Sequence, residues 1–209
     1  MDYFRYLLIY INGGFWVDVD VECVSPVDKW LAKFGFSNNI DIASLDFVFG
    51  LEFPNAQKDY NETGVLPFQL TQYTFGACQK SNMMLRILEY LEKVTTNSMA
   101  FEGDTDSIVL QRTGPAAFTK AIVDEIISHG IPPGIAPSAK DINYPLALLP
   151  MNTLNQNGQL LTLSTSSGEN DNKLYRGVIL PYRAFSYHRL HNSGQEPELT
   201  RHMFWGSWK

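Results

Sequence analysis

Hydrophobic positions near the start of the chain change their period once. Over Asp2 to Asn12 they recur at helical spacing, with Leu7, Leu8 and Ile11 as the expected buried stripe. Asp2 and Arg5 sit one turn apart on that helix and share a face. Gly13-Gly14 breaks the helix, since glycine takes positive φ without a steric cost. From Phe15 the spacing switches to two. Phe15, Val17, Val19 and Val21 are predicted to point one way from a single strand, and Trp16, Asp18, Asp20 and Glu22 the other. Two aspartates then emerge side by side at a strand end.

Further along, Ser25-Pro26 predicts a capped turn into a short helix around Trp30. A strand is expected over Leu45 to Leu51, ending at Glu52, a carboxyl that either faces a site or ends a strand in solvent. Asn55 to Pro67 is polar and turn-rich, and holds one glycosylation sequon, Asn61-Glu62-Thr63. Phe68 to Lys80 is read as a helix. A stronger helix follows from Asn82 to Val94, capped by Ser81, with Met84, Leu85, Ile87, Leu88 and Leu91 inward. Glu102 to Asp106 reads as a solvated acidic turn. Thr113-Gly114-Pro115 opens a helix over Ala116 to His129, with Phe118, Ile122, Ile126 and Ile127 buried and Gly130 closing it. Four prolines, at 132, 133, 137 and 145, rule out long helices between them. Leu160 to Leu163 and Gly177 to Phe185 are the remaining strand candidates.

Composition narrows the class. With 209 residues, 44% of them hydrophobic, the chain can bury one good core, so a single domain over 1–209 is expected. A net charge of -6 without a basic run argues against nucleic acid or an anionic membrane surface as partner. Two cysteines, Cys23 and Cys78, do not make a disulfide framework, and one bridge between them stays open.

The chemistry concentrates at Asp18 and Asp20. Adjacent carboxylates repel unless a cation sits between them. A hard divalent ion with oxygen ligands suits such a pair, Mg²⁺ or Mn²⁺ ahead of zinc. Alone, Asp-x-Asp is more often a solvated strand end. Here it follows a helical Asp-x-x-Arg, Gly-Gly and an aromatic residue. That order resembles the sugar-binding region of glycosyltransferases with a DXD motif, family thirty-two in the usual classification, which holds fungal initiation-specific α-1,6-mannosyltransferases. Gly50-Leu51-Glu52, Thr113-Gly114-Pro115, Phe185-Ser186 and the ending His202 to Trp208 with Gly206-Ser207-Trp208 are similar to further segments of that family. Two places depart from it. Lys80-Ser81-Asn82 stands where the family carries Gly-His-Pro, and Tyr187-His188 where it carries Pro-Gly.

The resemblance implies an α/β, GT-A-type (Rossmann-like) fold with a mixed sheet, lacking the family's N-terminal nucleotide-binding portion, so the chain is expected to be N-terminally truncated. It implies Asp18 and Asp20 as catalytic residues, with Asp20 and His202 as direct ligands of Mn²⁺ or Mg²⁺ and Asp18 acting through water or on the donor. Donor contacts fall to Asp2, Arg5, Asp18, Thr113, Gly114, Ser207 and Trp208, with backbone N–H groups near Thr113 facing a phosphate or sugar hydroxyl. The implied reaction is retaining transfer of mannose from GDP-mannose to an N-glycan or mannan acceptor, α-1,6-linked, in the Golgi lumen, with a membrane-associated mannosyltransferase complex as a further partner. Other readings stay open: another sugar nucleotide such as UDP-glucose or UDP-galactose, a non-catalytic subunit of a mannan-synthesising complex, or a phosphohydrolase. The last would want a threonine where Glu22 stands.

Overall fold

The computed structural model describes residues 2–36, 40–53, 69–96, 105–129, 159–164, 174–181, 184–187 and 199–203. Helix α1 (Asp2–Asn12) leads into strand β1 (Gly14–Val17), and β2 (Val21–Cys23) follows after a turn. A 3₁₀ turn at Val27–Lys29 runs into α2 (Trp30–Lys33), then come β3 (Phe47–Phe53), β4 (Gln69–Leu70) and β5 (Thr74–Ala77). Helices α3 (Asn82–Thr96), α4 (Thr105–Arg112) and α5 (Pro115–Ser128) precede β6 (Gln159–Ser164), β7 (Leu174–Leu180), β8 (Phe185–Tyr187) and β9 (Thr200–His202).

The chain is α/β with a mixed main sheet, ordered β1-β5-β3-β7-β6 with β4 on β3. The β3–β7 pair is parallel, and the other pairs of this sheet are antiparallel. A smaller sheet runs β2-β9-β8. Alternation along β3 explains how both faces of the main sheet are covered. Phe47, Phe49 and Leu51 enter a core with Tyr6 and Ile9 of α1, Met83, Met84, Ile87 and Leu91 of α3, and Phe118 and Ile122 of α5. Val48 faces the other way, into a second core with Trp30, Leu31, Tyr73, Val178 and Phe185.

Strand directions place the site. Gly14, Ala77, Phe47 and Gly177 form one row across the sheet, and β1, β3 and β7 run the same way from it. Their carboxyl ends therefore open on one edge, where Asp18 follows β1 and Glu52 lies near the end of β3. The carboxyl edge of such a sheet is where ligands bind in open α/β folds.

Several expectations need correction. The Leu7, Leu8 and Ile11 stripe is not the buried one: Tyr6 and Ile9 are buried, while Leu7 and Ile11 are exposed. The aromatic ring of Tyr6 fills the core by stacking on Phe118, at 5.3 Å between centroids, which turns the helix away from its aliphatic face. The single strand over residues 15 to 22 is two strands in different sheets, joined by a turn, with Val17 and Val19 exposed. Ser25 makes no side-chain cap. It is buried, and its carbonyl accepts the Trp30 indole N–H at 2.8 Å. The predicted helix at 68–80 is β4, a turn and β5. Both faces of that segment are buried from Gln69 to Ala77, so no polar period marks it as strand. Gly177 to Phe185 is split at Pro181, after which the chain passes from the main sheet to the small one. The acidic turn overlaps α4 at Thr105 and Asp106, and its residues 102–104 lie outside the described residues, as does the sequon.

Other readings hold. Gly13 has φ 70°, and a Cβ there would stand 2.7 Å from the Gln79 nitrogen, so only glycine closes α1 at this point. Ser81 Oγ accepts the Met84 N–H at 3.2 Å as the cap of α3. Pro115 opens α5 with Gly114 at its N-cap. The strand expected at Leu160 to Leu163 is β6.

Two carboxyls, the buried Asp46 and the half-buried Glu52, set up tests of the fold. Asp46 accepts the Ser81 hydroxyl at 2.8 Å and the Asn82 and Met83 N–H groups at 3.3 Å each, so it serves the open N-terminus of α3 from another segment. Replacing Asp46 with Ala is expected to cost about 2–3 kcal/mol, because hydrogen bonds to a charged acceptor are lost and buried donors are left unmet. Urea denaturation reads this directly, and a loss below about 0.5 kcal/mol would contradict it.

Glu52 Oε2 accepts Gln69 Nε2 at 2.7 Å. Burial pushes its carboxyl up to about 7, only partly opposed by that hydrogen bond. The folded chain then keeps a proton that the unfolded chain releases above about pH 4.5, so this stability is full in acid and is lost as pH rises through 7. Glu52→Gln is expected to match wild type near pH 5 and to be more stable at pH 8, by at most about 3 kcal/mol. Denaturation curves of both chains at the two pH values test it; parallel pH dependence would refute it.

Candidate active site

The site begins with the helix-borne arginine. Arg5 Nη2 lies 3.1 Å from Asp2 Oδ1, and Arg5 Nη1 lies 3.1 Å from Asp18 Oδ1 and 3.2 Å from the Gln72 carbonyl oxygen. One planar guanidinium thus spans a residue one turn away, the turn after β1 and the segment before β5, a reach that suits arginine and not lysine. Its carbon stands 5.2 Å from the centre of the Trp16 ring. The Trp16 indole N–H donates to Asp18 Oδ1 at 2.7 Å, so the same oxygen receives two donors. Of the three charged side chains, Asp18 is the most exposed at 28%, against 18% for Asp2 and 13% for Arg5.

Asp18 and Asp20 do not share a strand face. They bracket the turn between β1 and β2, which the Val21 N–H closes on the Asp18 carbonyl at 3.0 Å. The turn sends the two carboxylates to different partners. Asp18 goes to Arg5 and Trp16, and Asp20 goes to the C-terminal strand. There Val21 pairs with His202 across β2 and β9, and Met203 N–H donates to the Asp20 carbonyl at 2.7 Å. His202 Nε2 comes to rest 3.3 Å from Asp20 Oδ1. Residues far apart in the chain, read from sequence as one ligand pair, are in contact. Burial lowers the His202 pKa, with Asp20, Asp18 and the hydrogen bond to Asp20 pulling it back up.

Thr113 lies beside Asp2. Its Oγ1 donates to Asp2 Oδ2 at 3.1 Å, which leaves Asp2 bonded through both oxygens. Its carbonyl accepts the Tyr6 hydroxyl at 2.9 Å and Gln72 Nε2 at 3.0 Å. The backbone N–H groups of Thr113 and Gly114 both donate to the Val109 carbonyl, at 3.1 and 3.0 Å. The expectation that these N–H groups face a phosphate does not hold in this geometry, because the end of α4 already uses them. Gly114 is buried, and a Cβ would stand 2.7 Å from Leu110 Cα, so its place is packing. Ser207 and Trp208 lie outside the described residues. His129, at the C-cap of α5, pairs with Glu125 Oε1 at 3.0 Å.

Sequence reasoning missed Gln72 and Tyr73. Gln72 Nε2 also bonds the Tyr6 hydroxyl, and its backbone oxygen takes Arg5. Tyr73 touches both halves of the site: its carbonyl accepts the Asp18 N–H at 2.9 Å, and its ring stacks on His202. Both lie in the segment read as a helix, and that reading hid their placement. Among the described residues no group of three or more His, Cys, Asp or Glu side chains converges for a metal. The donors on hand for an ion are Asp20 and His202, with Asp18 close enough to act on the His202 charge.

Residues 1–36, which carry α1, Arg5 and both aspartates, match the family model described as "Glycosyltransferase sugar-binding region containing DXD motif". The whole chain is 22% identical over 217 aligned residues to an initiation-specific alpha-1,6-mannosyltransferase of Schizosaccharomyces pombe. A Candida albicans protein of the same name is 26% identical over 133 residues, 59% of this chain. The alignments span 46% and 34% of those two relatives, so the chain covers less than half the length of either. Residues 1–36 are thus similar to the sugar-binding region of DXD-motif glycosyltransferases, and the chain as a whole is similar to initiation-specific α-1,6-mannosyltransferases.

Proposed function

We propose that the chain is the sugar-binding part of a metal-dependent, retaining glycosyltransferase that moves mannose from GDP-mannose to an N-glycan or mannan acceptor in α-1,6 linkage. The name of these relatives supports the sugar and linkage, and the proposed setting is the Golgi lumen. The observation that carries the reading is the approach of His202 Nε2 to 3.3 Å from Asp20 Oδ1. Two ligands each about 2.1 Å from one ion, at roughly a right angle, stand about 3 Å apart, so this pair fits one coordination sphere. A carboxylate oxygen and a neutral imidazole suit Mn²⁺, and Mg²⁺ with less preference for the nitrogen.

Bound there, the ion would supply Lewis-acid neutralisation of the leaving diphosphate. The chain's own residues do the rest. Asp20 and His202 would hold the ion, and Asp18 and Asp2 would accept hydrogen bonds from donor hydroxyls with their remaining lone pairs. Arg5 fixes both of these carboxylates and offsets their charge. The mannose C1–O bond to phosphate breaks as the acceptor oxygen bonds C1 on the same face. The acceptor proton passes to the departing phosphate oxygen, and no protein nucleophile is needed.

Calorimetry of GDP-mannose, GDP and UDP-sugars with and without Mn²⁺ tests this. Wild type is expected to bind GDP-mannose only with the metal. Asp20→Ala and His202→Ala are expected to weaken that binding by more than about a hundredfold, beyond what loss of an outer-shell partner costs. Preference for a UDP-sugar would reassign the donor. A folded wild-type chain that binds no nucleotide would favour a non-catalytic subunit.

A further inference from the structure

We propose that Tyr73 is a positioning residue for this site, which sets the Asp18–Asp20 turn and the His202 imidazole against each other; the proposal rests on the metal reading above. Three contacts of one side chain and its backbone support it. The Tyr73 carbonyl accepts the Asp18 N–H at 2.9 Å and so holds the first residue of the turn. Its ring lies flat on the His202 ring, with centroids 4.3 Å apart and planes 7° from parallel. Its hydroxyl donates to the Phe185 carbonyl on β8, the strand that pairs with β9.

The anchor at the far end is itself fixed. Phe185 is 1% exposed and lies edge-on to Trp30 at 5.2 Å. It also lies so close over Gly50 that a Cβ there would come 2.1 Å from its ring. Tyr73 is 6% exposed and cannot swing away without opening the second core.

The physical consequence follows from what a histidine ligand needs. An imidazole must present one nitrogen in a set direction, and its ring can otherwise turn about the Cβ–Cγ bond. A flat aromatic neighbour at van der Waals distance restricts that turn, as outer-shell hydrogen bonds do at other metal sites. With the ring held, Nε2 stays toward Asp20. The same residue holds Asp18 through its backbone, so the two strands that bring the ligands together are referenced to one point. Main sheet and small sheet meet there.

The test uses the full chain, Mn²⁺ alone as probe, and three variants. Tyr73→Leu removes the ring, Tyr73→Phe keeps the ring and loses the hydroxyl, and Tyr73→Met replaces the leucine variant if that one does not fold by circular dichroism. The leucine or methionine variant is expected to bind Mn²⁺ about 10–100-fold more weakly than wild type, with Tyr73→Phe within about threefold of wild type. In the metal-free chain the His202 ring protons are expected at upfield NMR shifts in wild type and Tyr73→Phe, and to move downfield when the ring is gone. Wild-type Mn²⁺ affinity in a folded Tyr73→Leu or Tyr73→Met chain overturns the role of Tyr73 alone. So does a loss in Tyr73→Phe as large as in the leucine variant, since the ring would then not be what positions the ligand. A folded wild-type chain that binds no Mn²⁺ overturns the metal reading itself, and Tyr73 then positions no ion.

Discussion

The candidate site depends on one guanidinium. Asp2 and Asp18 are brought together at the mouth of the sheet, where two like charges at close range repel. Arg5 lies between them at 3.1 Å from each, and Trp16 adds an indole donor to Asp18 and a π-face to the guanidinium. An exposed ion pair would contribute little, but this one is mostly screened from water and its charge-assisted bonds are correspondingly stronger. The same arginine reaches the Gln72 carbonyl, so helix α1, the Asp18 turn and the turn before β5 share one fixed point. A lysine cannot do this, since a single ammonium lacks the fork that spans three acceptors.

A second constraint is the change of sheet between Asp18 and Val21. A continuous strand would leave both carboxylates in one sheet, parallel and unpartnered. Because the chain turns out of the main sheet, Asp20 is delivered to β9, and His202 comes back to it from the far end of the sequence. The seam between the sheets is closed by Tyr73 and by Phe185 seated on Gly50. The candidate site thus sits where two packed layers meet, at the carboxyl edge of strands β1 and β3, and the packing that closes the core also fixes the distance between Asp20 and His202.

Legibility from sequence followed how much polar contrast each segment carried. Helix α3 was clear, since one face is Met, Ile and Leu and the other is charged, and Ser81 marks its start. The glycine break after α1 and the Pro115 start of α5 were equally plain, because backbone limits of glycine and proline do not depend on neighbours. The segment from Gln69 to Ala77 was misread as helix because it is buried on both faces and shows no period at all. Its polar members, Gln72 and Tyr73, were missed for the same reason: nothing local says that a buried amide braces an arginine from another element.

The sequence by itself determined that Asp2 and Arg5 pair, that Gly13-Gly14 ends the helix, and that Asp18, Asp20 and His202 are the residues to watch. The first two are settled within a turn or two of chain, where spacing and φ/ψ limits suffice, and the third by the motifs they stand in. Only the tertiary structure decided that α1 buries Tyr6 and Ile9 in place of its leucines, and that the two aspartates part company. It alone decided that Thr113 serves Asp2 through its hydroxyl while its N–H is spent on Val109. Each of these turns on which surfaces remain to be covered once the sheets are paired, a property of contacts between distant segments that no local period records.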